Sequence, residues 1–86
     1  MKVEMFYSPG CSACVAQQDE LRAAARAAVN DLEWHDVNVL DDLDRAVERG
    51  VLTLPAIVID GEVVFTSAPT VAQLRKALIA RRGGRT

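Results

Sequence analysis

Cysteine is scarce in this chain. Only Cys11 and Cys14 occur among 86 residues, so no second pair exists to close a four-thiolate metal site. Histidine is scarcer, with His35 alone, on a segment far from Cys11 in sequence and expected to be structural or at the surface. Aromatic residues are limited to one Trp, one Tyr and two Phe, which leaves a core of Val, Leu, Ile and Ala. Neither sign of charge dominates. A net charge of -2 gives no electrostatic reason to expect nucleic acid or a membrane surface as a partner. No apolar run approaches the length that spans a bilayer. Met1-Lys2 leads straight into a strand, without the apolar stretch and small-residue cleavage site of a secretory peptide, so a cytoplasmic location is expected. Repeats, low-complexity tracts and linkers are also missing. The length fits one domain, expected over residues 1–82, with 83–86 a flexible tail. The basic ending Arg81-Arg82-Gly83-Gly84-Arg85 reads as solvated, with Arg81 and Arg82 near the negative end of the last helix dipole.

What is present reads as α/β. Residues 2–7 alternate as a strand, with Val3, Met5 and Tyr7 on one face and Lys2, Glu4 and Phe6 on the other. Ser8-Pro9-Gly10 breaks it. A helix is expected from about Ser12 to about Asn30, with Cys14, Leu21, Ala25 and Ala28 on one face. Residues 32–39 alternate with no clean face, which suits an edge strand. Trp34 there reads as core. A second helix covers about Asp42 to Arg49, with Leu40, Leu43 and Val47 as its apolar stripe, acidic Asp41, Asp42 and Asp44 at its positive end, and Gly50-Val51 as its C-terminal cap. That acidic cluster lacks the spacing of a Ca²⁺ loop. Residues 56–59 and 63–66 form a hairpin about Asp60-Gly61. Ser67-Ala68-Pro69 ends the sheet, and Thr70 with Gln73 opens a third helix as a capping box, its core face being Val71, Leu74 and Leu78. The order is β-α-β-α-β-β-α. A helical crossover makes the first two strands parallel and right-handed. The expected architecture is a four-stranded mixed sheet with helices on both faces.

The cysteines carry the chemistry. A lone C-x-x-C in a reducing cytosol is more often redox-active or metal-binding than a permanent bridge. The thiolate is the attacking species in disulfide exchange, and the unpaired N–H groups and dipole of a helix start favour that anion. Cys11 sits at such a start, after a Pro-Gly turn expected to leave it exposed. Cys14 lies one turn in, on the apolar face, as the sheltered partner. Side chains three apart on a helix stand about 5–6 Å apart at Cβ, and a disulfide needs about 3.5–4.5 Å, so a small adjustment closes the pair. Cys11 is therefore the expected nucleophile and Cys14 the resolving thiol.

Tyr7-Ser8-Pro9-Gly10-Cys11-Ser12-Ala13-Cys14, followed by Thr53-Leu54-Pro55 and Asp60-Gly61, resembles the thioredoxin/glutaredoxin superfamily, most closely its small, minimal thioredoxin-like (redox-active disulfide) proteins. The resemblance covers nearly the whole chain. It implies a cis bond before Pro55, a place for Pro55 beside the cysteines, and pairing of the Leu54 backbone with an extended substrate. It also implies that Gly10, Ser12 and Ala13 border the substrate. The implied activity is thiol–disulfide exchange in cell redox homeostasis, with no cofactor beyond the Cys11–Cys14 disulfide. The implied partners are a disulfide-containing protein as substrate and a reductase or low-molecular-weight thiol as electron donor, and a monomer is expected. The chain departs from the family at three places. Gly10 stands where thioredoxins usually have Trp, Met5 where they have a buried acid, and Ser67-Ala68 where glutaredoxins have a Gly-Gly-type turn.

Two other classes fit part of the pattern. Two thiolates can handle Cu(I), zinc or a shared iron–sulfur cluster, yet Leu54-Pro55 and the helix between the second and third strands have no counterpart in small copper chaperones. A redox-sensing binding module without turnover would use the same disulfide. With no cation near Cys11 in sequence, its activation rests on the helix start and should be partial. Its alkylation rate is expected to reach half-maximum at a pH below that of an unperturbed thiol, about 8.5; a midpoint at that value would refute activation by the helix.

Overall fold

The computed structural model describes the backbone of residues 1–10 and 12–84, and the side chains of those residues other than 12–15 and 82–84. Its elements are β1 (Lys2–Tyr7), α1 (Ser12–Ala28), β2 (Glu33–Asn38), α2 (Leu43–Arg49), β3 (Ala56–Ile59), β4 (Glu62–Phe65) and α3 (Val71–Gly84). The sheet order is β2-β1-β3-β4. β1 runs parallel to β2 and antiparallel to β3, and β3 pairs antiparallel with β4. The parallel crossover and the edge position of β2 are as the pattern implies. α3 continues to Gly84, through the first two residues assigned to the tail.

Two cores follow from the period-two alternation of the central strands. Val3 and Met5 of β1 and Ile57 and Ile59 of β3 meet Leu21, Ala25 and Val29 of the α1 region and Leu74 and Leu78 of α3, with Trp34 at the margin. On the other face Phe6, Ala56 and Val58 meet Val37 of β2 and Ala46 of α2. Helices therefore cover both faces. Trp34 Nε1 donates to Asp36 Oδ1 at 2.8 Å, which satisfies its polar end. His35 is exposed on the outer strand.

Local signals explain the connections. Asp60 (φ 50°) and Gly61 (φ 85°) both take the left-handed region, as a two-residue hairpin turn requires. The Asp60 N–H donates to the Lys2 carbonyl at 2.8 Å, and the Lys2 N–H donates to Asp60 Oδ1 at 2.9 Å. Ile57 pairs with Phe65 but Val58 with Val63. Val64 is thus the extra residue of a β-bulge, and both Val64 and Phe65 pack toward the α1/α3 core. The Thr70–Gln73 capping box forms in both directions, at 2.9 and 3.1 Å. Gly50, at φ 75°, ends α2. Its N–H reaches the Val47 carbonyl at 3.1 Å, and the Val51 N–H reaches Ala46 at 2.9 Å, a Schellman closure. Arg81 pairs with Glu62, which ties α3 to the hairpin at that residue; the side chains of the rest of the basic ending lie outside the described residues.

The orientation of α2 corrects one expectation. Leu40, Leu43 and Val47 do not form its buried stripe; they are 75, 64 and 70% exposed, and Ala46 is the buried residue. The cause lies on β1. Glu4 is 1% exposed on the face that α2 covers. Arg49 Nε donates to Glu4 Oε1 at 3.1 Å, and Arg45 Nε lies 3.7 Å from Oε2. Oε2 itself has no hydrogen-bond partner among the described residues. A carboxylate buried without compensating charge costs several kcal/mol, on the order of what its removal from water demands. The helix therefore turns Arg45 and Arg49 inward, which sends Leu43 and Val47 out. Arg49→Ala should cost about 2–3 kcal/mol in urea unfolding, because it strands a buried carboxylate. Removing the exposed partner of Arg81 by Glu62→Ala should cost under about 1 kcal/mol; equal losses would refute this account of α2.

Candidate active site at the carboxyl ends of β1 and β2

Strand register assembles this end of the molecule. β1 and β2 run in parallel and finish together, with Tyr7 opposite Asn38, and the Val39 N–H donates to the Tyr7 carbonyl at 2.9 Å. On the other side Phe6 pairs with Ala56 in antiparallel register. Pro55 immediately precedes Ala56, and so adjoins this end of β1. Ser8, Pro9 and Gly10 then turn the chain toward α1, which opens at Ser12. The start of α1 and the loop before β3 thus converge where β1 ends.

Each expected site residue has a definite standing. Gly10 lies in the exposed turn, with open space around the place a Cβ would occupy. Ser12, Ala13 and Cys14 form the opening of α1. Cys11, its expected exposure and the side chains of Ser12, Ala13 and Cys14 lie outside the described residues, as does the expected closure of the two sulfurs. The Leu54–Pro55 peptide bond is cis. Pro55 is buried and Leu54 is 36% exposed. Thr53 Oγ1 donates to the Thr66 carbonyl at 2.8 Å, which fastens the loop before Pro55 to the end of β4.

The surroundings are apolar on one side. Val39, Leu43, Ala46, Val51, Leu52 and Leu54 line a shallow groove of about 160 Å³. Beneath the sheet end, Met5 is fully buried where thioredoxins usually place an acid, and Glu4 points to the α2 side. Among the residues described with side chains, no group of three or more His, Cys, Asp or Glu could hold a metal ion. The Thr53–Thr66 tie and the outward apolar face of α2 are features the sequence reading missed. The first had no local signal, because its partners meet only once β4 is paired. The second had one in the i, i+4 spacing of Arg45 and Arg49, opposite a lone acid on an otherwise buried strand.

A mixed four-stranded sheet in the order β2-β1-β3-β4 with helices on both faces, and a cis-proline just before β3, fit the thioredoxin-like class. The family described as "Thioredoxin domain" matches residues 1–79. The chain is 35% identical over 81 residues to a thioredoxin of Methanocaldococcus jannaschii, covering 94% of this chain and 95% of that protein. It is 28% identical over 78 residues to a probable thioredoxin of Methanothermobacter thermautotrophicus, covering 91% and 92%. The chain belongs to the thioredoxin domain family. Solved structures agree on the fold. Thioredoxin 1 from Thermosipho africanus superposes with a TM-score of 0.78 at 20% identity, covering 98% of this chain and 96% of that one. Mitochondrial thioredoxin 3 from Saccharomyces cerevisiae gives 0.71 at 24% identity, covering 90% and 74%.

Replacing Thr53 by Val removes the tie to Thr66 while keeping the shape of the side chain. The expected cost is about 0.5–1 kcal/mol in urea unfolding; an unchanged midpoint and slope would show that the hydrogen bond does not hold the loop.

Proposed function

We propose that this protein is a thiol–disulfide oxidoreductase that reduces protein disulfides through Cys11 and Cys14. Membership of the thioredoxin family supports the activity class. The observation that supports the reading is the cis Leu54–Pro55 bond directly before Ala56, which pairs with Phe6 near the strand end from which the chain continues into Cys11-Ser12-Ala13-Cys14. The Leu54 backbone is the site where an extended substrate chain pairs, and Gly10, Ser12, Ala13 and Pro55 border the same substrate.

The exchange runs in two displacements. The Cys11 thiolate attacks one sulfur of the substrate disulfide, that S–S bond breaks, and the departing sulfur takes a proton from water. Cys14 then loses its proton and attacks the Cys11 sulfur. The mixed disulfide breaks, the second substrate sulfur leaves as a thiolate, and the Cys11–Cys14 disulfide forms. Two electrons pass to the substrate. No further cofactor takes part, and a reductase or low-molecular-weight thiol returns two electrons to the pair. Met5 offers no carboxylate beneath the site, so water receives the Cys14 proton, and turnover is slow relative to a protein that carries an acid there. The setting is the cytoplasm, where a reduced pair is the resting form. Among the described residues no helix is long and apolar enough to cross a membrane.

Substitution separates the two thiols. Cys11→Ser is expected to abolish reduction of a disulfide-containing protein such as insulin. Cys14→Ser should retain the first attack and accumulate covalent adducts, visible as mixed disulfides on non-reducing gels and by mass spectrometry. Adducts on Cys11→Ser and none on Cys14→Ser would reverse the roles. Full activity without either thiol would overturn the proposal.

A further inference from the structure

Gln17 carries a buried acceptor with nothing to accept from. Its Oε1 is sealed from solvent and has no hydrogen-bond partner among the described residues. An acceptor left unpaired away from water is costly, and in a native fold it calls for a donor or a function. Leu21, four positions on, is buried in the same core cluster as Met5 and Leu74, so residue 17 stands on the inward stripe of α1. Gln17 also lines a cleft of about 360 Å³ between α1 and the start of α3, together with Glu20, Pro69 and Thr70.

The walls of this cleft leave Oε1 unserved. Glu20 as a carboxylate donates nothing. Thr70 is held in the capping box, with its Oγ1 3.1 Å from the Gln73 nitrogen. The other lining side chains are apolar. Position 14 lies three residues before Gln17 in α1, the spacing at which side chains on a helix meet, and the cysteine there brings an S–H donor. On the sheet below, β1 supplies only the thioether of the fully buried Met5.

We propose that Gln17 is a positioning residue for the resolving thiol: its Oε1 accepts the Cys14 S–H and holds that sulfur toward the open cleft between α1 and α3. The proposal rests on the oxidoreductase reading above. During resolution the Cys14 proton passes to water in the cleft and the sulfur keeps the electron pair. The thiolate then attacks the Cys11 sulfur, the mixed disulfide breaks, and the second substrate sulfur leaves with that bond's electrons. Gln17 forms and breaks no covalent bond. A neutral amide on the helix thus aligns a donor that no carboxylate on β1 can take. The hydrogen bond exists only in the dithiol, because the disulfide has no S–H, so Gln17 favours the reduced form.

The test is stopped-flow mixing of the reduced full-length protein with one equivalent of dithiobis(nitrobenzoate). Attack by Cys11 releases one coloured thionitrobenzoate, and displacement by Cys14 releases the second, so two phases report the two steps. Cys14→Ser should keep only the first. Gln17→Leu removes the acceptor and leaves the thiol against an apolar wall, which opposes loss of its proton; the second phase should slow about fivefold at about pH 7, while the first persists. Gln17→Glu sets a carboxylate at the same place, which takes the proton itself. Its second phase should exceed that of the wild type about tenfold at about pH 6, and its decline toward acid should follow the carboxylate instead of the thiol. A side chain that merely packs there would give the opposite order, with Leu tolerated and a buried Glu harmful. In redox buffers Gln17→Leu should shift about fivefold toward the disulfide, about 20 mV more negative. A wild-type second phase or an unmoved potential in Gln17→Leu, or a Gln17→Glu profile that follows the thiol alone, would overturn the role of Gln17 and leave the oxidoreductase reading standing. A wild type without the first phase would overturn that reading itself.

Discussion

Burial of β1 on both faces is the constraint from which the rest of the structure follows. The strand lies between β2 and β3, and its residues 3–6 are removed from solvent. Because side chains alternate, the one strand must satisfy two unlike environments. Val3 and Met5 give α1 and α3 an aliphatic surface to close upon, whereas Glu4 and Phe6 face α2. A carboxylate in that position is tolerable only with cations brought to it. Arg45 and Arg49 are those cations, and their recruitment fixes how α2 is rotated. The same strand delivers the chain at its far end into the turn before Cys11, so core and candidate site share one element.

The two helical layers differ in kind as a result. α1 and α3 are held by interdigitated aliphatic side chains, a large and non-directional contribution. α2 has seven residues and one buried side chain, Ala46. Its attachment relies on the guanidinium contacts to Glu4, the Schellman closure at Gly50, and the flanking Val39 and Val51. Directional attachment leaves most of the helix surface facing solvent, which is why the most exposed apolar residues of the fold collect there.

Much of the fold could be read from the chain because the informative signals are local. Alternation over residues 2–7, Asp60-Gly61 between two apolar runs, Thr70 with Gln73, and Gly50 after a short amphipathic stretch each specify geometry within a few residues. The face of α2 could not be read that way. Leu43 with Val47 and Arg45 with Arg49 form equally regular stripes, and the group that decides between them is Glu4, some forty positions away and distinguishable only once β1 is known to be central. The candidate site divides similarly. The cis bond before Pro55 is legible only through the family resemblance, because a proline at the start of a strand carries no such signal of its own. The fastening of its loop by Thr53 to Thr66 depends on a bulged pairing that no short window of sequence announces.

The bulge at Val64 has a consequence for how molecules of this protein meet one another. A regular outer strand offers a row of unused N–H and C=O groups on which a neighbour can build. β4 has only four residues, opens with Glu62, and is bent where Val64 interrupts the ladder. At the opposite border β2 presents Glu33, His35 and Asp36. Neither margin of the sheet is a flat apolar template, so the protein carries its own protection against growing into extended intermolecular β-structure at high concentration.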